Sequence, residues 1–154
     1  MKIKNELLRH TLSTIAYRFQ KSIRNAKEDF GNFKAGEESR TPGEIINHIY
    51  DIINKTKVFI KYDRFEKNIP VQLDFNSEIE RLHNTLEELD FILSDKELDI
   101  NFSKKLLQGP FSDVLSHVGQ IALMNGLNGN KIKGEDFFSA QIITGNTSSG
   151  QKLT

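Results

Sequence analysis

The recurrence of apolar side chains every third or fourth residue constrains this chain most. Ile79, Leu82, Leu86, Leu89 and Leu93 alternate steps of three and four, the seam by which helices pack side by side in a bundle. The same spacing returns in three other stretches. Leu8, Leu12, Ile15, Ala16, Phe19, Ile23, Ala26 and Phe30 place one apolar face on a helix from Leu7 to Phe30, with Gly31 as its stop signal. Thr41, Pro42 and Glu44 spell a capping box with proline at the first helical position. The helix they open carries Ile45, Ile46, Ile49, Ile52, Ile53, Val58 and Phe59 inward as far as Tyr62. The third helix is capped by Asp74 or Asn76, and its outer faces carry Glu78, Glu80, Arg81, Glu87 and Glu88.

Between Ser94 and Gln108 the pattern loosens, and both an extended stretch at Asp99–Phe102 and a helical turn at Lys104–Gln108 stay open. Gly109-Pro110 opens the fourth helix, which buries Val114, Leu115, Val118, Ile121, Ala122 and Leu127 and ends near Asn128. No stretch alternates with period two. The expected fold is an all-α four-helix bundle over residues 1–144, with Phe137-Phe138 docked on it. The Gly-, Ser-, Thr- and Asn-rich residues 145–154 form a flexible tail.

Charge and composition narrow the function classes. Lysine plus arginine equal aspartate plus glutamate at 21 each, which argues against a nucleic-acid partner that needs a basic surplus. The absence of cysteine removes disulfides, thiolate ligands and a cysteine nucleophile. No segment approaches the run of about 18 apolar residues that spans a bilayer, and Met1–Glu6 lacks the apolar stretch of a secretory signal. A cytoplasmic protein without a membrane partner is expected.

The chemistry-bearing candidates are histidines on helical patterns. His48 stands three after Ile45 and four before Ile52, and His117 stands three after Val114 and four before Ile121, so both turn toward the bundle. Asp113, four before His117, shares its helix face at roughly 6 Å. Two imidazoles and one carboxylate would hold a divalent metal and leave positions open for water or substrate, as catalytic sites do. The structural alternative stands beside this: core-facing histidines commonly satisfy local polar groups, and a carboxylate in a first helical turn is favoured by the helix dipole alone. Gln120 is placed to hydrogen-bond within the bundle or to orient a ligand, and Glu44 and Asp51 either support His48 or are ordinary solvated helix charges. His10 and His83 have no partner at useful spacing and read as structural.

The segment Leu106–Ile121, with His117-Val118-Gly119-Gln120, resembles the last bundle helix of the DinB-like superfamily, and Thr41–Ile49 resembles the start of its second helix. Gly134-Glu135-Asp136-Phe137-Phe138 is similar to the stretch that follows the bundle in some members. The resemblance implies an up-down-down-up bundle holding nickel or zinc on three histidines. Carried onto this chain, those ligands fall on His48, Asp113 and His117, and aspartate at the middle position departs from the family pattern. It further implies a metal-dependent transferase or hydrolase acting on a small molecule, with a low-molecular-weight thiol in some branches, and pairing into a homodimer. A non-catalytic bundle with a degenerate site, serving ligand binding or dimerisation, is the competing reading.

Overall fold

A computed structural model describes residues 3–149 of the chain. Its helices are α1 (Glu6–Ser22), α2 (Pro42–Tyr62), α3 (Phe75–Asp95), α4 (Ile100–Leu106) and α5 (Ser112–Leu127), the last two joined by a π-helical segment, Leu107–Phe111. Short 3₁₀ turns lie at Phe30–Asn32 and Phe137–Ser139. All regular structure among the described residues is helical. Helix α1 packs on α3 and α5, and α2 packs on the same two, so α3 and α5 stand between α1 and α2. Among the described residues, no helix is long and apolar enough to cross a membrane.

Helices α2, α3 and α4 begin where the sequence supplies acceptors for the orphan first-turn amides. The Thr41 hydroxyl accepts from the Glu44 amide at 3.2 Å while the Glu44 carboxylate accepts from the Thr41 amide at 2.7 Å. Asp74 accepts from the Ser77 amide at 3.0 Å. Asp99 accepts from the Asn101 and Phe102 amides, each at 2.9 Å, so within the open stretch Ile100–Leu106 is helix while Asp99 itself stays extended. The seam then closes: Leu12, Ile15, Phe19, Ile46, Ile49, Ile53, Leu82, Leu86, Leu89, Leu93, Val114 and Ile121 are wholly buried. Each such side chain contributes about 1.5–3 kcal/mol of burial.

Three expectations are corrected. The first helix ends at Ser22: Ile23 leaves helical backbone and Asn25 adopts φ 55°. The chain turns, and Phe30 reaches the core from a 3₁₀ turn, edge-on to Phe75 at 5.9 Å. Gly31 makes this approach feasible, since a Cβ there would lie 2.8 Å from the Cβ of Phe75. Apolar periodicity cannot show the break, because Phe30 is buried either way.

Gly109-Pro110 opens no helix. Pro110 has no N–H to give the carbonyl four residues earlier. The backbone nonetheless stays right-handed from Leu106 and Leu107 to Phe111 and Ser112, widening to π geometry instead of breaking. The Ser112 hydroxyl donates to the Leu107 carbonyl at 2.6 Å, and Phe111 fills the core.

Glu78 is fully buried rather than on an outer face. It accepts from the Leu73 amide (2.8 Å), Asn47 Nδ2 (3.0 Å), Gln72 Nε2 (3.1 Å) and Arg81 Nη2 (2.7 Å). One carboxylate thus ties the link before α3 to both α2 and α3. Smaller differences follow the same logic of local geometry. Leu127 is exposed, and Phe138 projects into solvent at 97% exposure, while Phe137 packs on Tyr17 and under the Arg18 guanidinium. Residues 150–154 of the expected tail lie outside the described residues. Within 145–149, Thr147 is buried, and the Gly145 amide donates to Ser13 Oγ at 3.0 Å.

Candidate metal centre

Helices α2 and α5 deliver the three sequence-predicted residues to one place. One nitrogen of His48, one of His117 and a carboxylate oxygen of Asp113 all lie within 4.8 Å of one another. The two imidazoles meet edge to face at 4.8 Å between centroids. Asp113 Oδ1 is 3.3 Å from His117 Nε2, the one-turn spacing expected of residues four apart on a helix. Gln120 Oε1 lies 2.8 Å from the other ring nitrogen, Nδ1. With Oε1 accepting from Nδ1–H, the Nε2 lone pair points at the carboxylate.

Two facing acceptors need something positive between them, a proton or a cation. The donor set fits a divalent metal. Imidazole nitrogen and carboxylate oxygen bind zinc and its neighbours at about 2.0–2.2 Å, which sets tetrahedral ligands about 3.4 Å apart, so ligand atoms up to 4.8 Å apart close on one ion by side-chain shifts of up to about an ångström. Gln120 supplies the second hydrogen bond that fixes tautomer and ring orientation in metal-binding histidines. As a bare i,i+4 pair, a protonated His117 on Asp113 satisfies the same contact.

The centre sits at the rim of the α2–α5 seam, outside the apolar core where it was expected. The buried Ile46, Ile49 and Ile53 set the inward direction of α2, and His48, one residue before Ile49, is turned about 100° from it. The same holds for His117 beside Val118. The His117 side chain is 14% exposed and that of Asp113 is 53% exposed, so one ligand faces water. His48 also forms part of the wall of a groove of about 450 Å³, bounded by Lys34, Arg40, Asn47 and Gln72.

Burial pushes the His48 imidazole below its ordinary pKa, and the positive charges of Arg40 and His117 push the same way, against Asp113 and Asp51. The neutral ring that results is the form a metal requires. Arg40 escaped the sequence reading because it lies in a loop without periodicity; its position next to the Thr41 cap is the one available signal. Glu44 is occupied by the capping box, and Asp51 pairs with Lys55 at 2.6 Å. His10 and His83 lie elsewhere and serve structure: His10 Nδ1 meets Thr144 Oγ1 at 2.9 Å, and His83 Nδ1 faces the Thr147 carbonyl at 3.4 Å.

Comparison of the chain with protein-family models, with curated proteins and with solved structures finds no match.

Proposed function

We propose that this protein is a DinB-like bundle of up-down-down-up topology that holds a divalent metal, zinc or nickel, on His48, Asp113 and His117. It acts as a metal-dependent transferase or hydrolase on a small molecule, a low-molecular-weight thiol being one substrate class. The observation that carries this is the convergence of three ligand atoms from two helices within 4.8 Å, with Gln120 bracing the His117 imidazole. A bound divalent metal supplies a lowered pKa to a coordinated water or thiol, giving a nucleophile near neutral pH. His48 enters uncharged, held so by burial and by Arg40. Asp113 offsets one positive charge. The groove beside His48 gives a substrate its approach.

The competing reading, a degenerate site in a ligand-binding or dimerisation module, is favoured by one observation. Asp113 and His117 form an i,i+4 contact that a proton alone satisfies. Elemental analysis of protein purified without a histidine tag separates the two. Stoichiometric metal in the wild type, lost in His48→Ala and His117→Ala, supports the metalloprotein. Equal metal content in the wild type and His117→Ala removes it.

A further inference from the structure

At the opposite end of α5 from the candidate metal centre, the ends of α1 and α5 and the strand of chain after them enclose a cleft of about 300 Å³. Its lining side chains are Lys21, Arg24, Asn25, Asn130, Lys131 and Lys133, with Ile132, and it contains no carboxylate. Lys21 is buried and neutralised by Glu135. Arg24, Lys131 and Lys133 have no ion pair among the described residues.

The walls are built from satisfied amides rather than loose loops. The wholly buried Asn125 donates to the Ser22 carbonyl at 2.9 Å. Asn130 Nδ2 donates to the Arg24 carbonyl at 2.8 Å and to Asn125 Oδ1 at 3.0 Å. Asn25 holds its left-handed conformation at φ 55°, and Gly129 turns the chain at φ 84°. These bonds pin the two segments that carry the cations.

Cations after helix C-termini commonly do no more than answer the macrodipole, and magnitude decides whether that accounts for these. Two C-termini contribute roughly half a negative charge each, against three uncompensated cations, which leaves about two positive charges in a small concave space. A phosphate group carries about −1.5 to −2 at neutral pH. We infer that this cleft binds the phosphate group of a small ligand, with Arg24, Lys131 and Lys133 holding the oxygens and the Asn25 and Asn130 amides lining the seat.

The test uses metal-stripped full-length protein in a phosphate-free buffer, titrated with inorganic phosphate and followed by amide NMR. Saturable shifts are expected at residues 24–25 and 130–133, absent when chloride is added to the same ionic strength. Arg24→Ala and the double variant Lys131→Ala/Lys133→Ala, all at exposed positions, should each weaken binding about tenfold or more while leaving the remaining spectrum in place. Shifts that chloride reproduces, or that survive both variants, overturn the site. So does a single-stranded oligonucleotide that binds here and that phosphate fails to displace. Shifts confined to the surroundings of His48 and His117 would place the anion at the metal centre instead and likewise overturn it.

Discussion

Gln120 Oε1 and Asp113 Oδ1 grip opposite nitrogens of the same ring, that of His117, at 2.8 and 3.3 Å. One helix therefore fixes the orientation of this imidazole from both sides before any partner arrives on His48. Removing the brace while keeping the ligands is the sharpest test of its role. Gln120→Leu should weaken metal binding by about 10–100-fold in a calorimetric titration. Its thermal melt should be unchanged, because Gln120 is exposed.

Asp113 is the position at which the chain departs from the three-histidine pattern it resembles, and it is half exposed. Asp113→His lengthens the side chain and replaces a hard oxygen with an imidazole nitrogen, which nickel and zinc accept well. Tighter zinc and nickel binding is expected in this variant, and loss of binding in Asp113→Ala. Competition against a coloured chelator reads both.

His83 is buried against Phe19, and that burial lowers its pKa, with the Thr147 carbonyl and Glu87 opposing. A histidine depressed in the folded state binds its proton more readily when unfolded. Its contribution to stability is therefore complete above about pH 6.5 and declines as the pH falls toward the folded value. His48, lowered for the same first cause, adds to the slope. The melting temperature should fall between pH 7.5 and 5, and His83→Leu should flatten that fall.

Glu78 accepts hydrogen bonds from four residues while wholly buried. Glu78→Ala strands the Leu73 amide and leaves Arg81 without its carboxylate, a loss of about 3–5 kcal/mol in urea unfolding. Asn47 and Gln72 line the groove beside His48, so this variant should also loosen the groove.

Gly31→Ala places a methyl group 2.8 Å from the Cβ of Phe75, an atom fixed to the first turn of α3. The 3₁₀ turn must back away, at a cost of about 1–3 kcal/mol. Gly36→Ala, where a Cβ meets nothing within 4 Å, is the control and should leave stability near the wild-type value.

The helical spacing and the Thr41 and Asp74 caps were legible because burial and capping act on residues three or four apart, the range over which a linear pattern carries information. His48, Asp113 and His117 were legible for the same reason, as helix positions flanking apolar ones. What escaped depends on contacts distant in the chain. Glu78 looks like any solvated helix glutamate until Asn47, 31 residues earlier, is folded against it. Arg24, Lys131 and Lys133 come together only when the ends of α1 and α5 meet. The break after Ser22 escaped because the residues beyond it keep their apolar spacing while the backbone turns.

The wide turn at Leu107–Phe111 joins α4 to α5 with the backbone right-handed at both of its ends, and Asp113 follows it by two residues. It accommodates its proline by altering the pitch of the rod, so the compass bearing of α5 is inherited from α4 across this joint. His48 rides on a different rod and does not share that bearing. Asp113 and His117, both on α5, turn together, so the spacing between them and His48 is set by how α2 and α5 lie against each other.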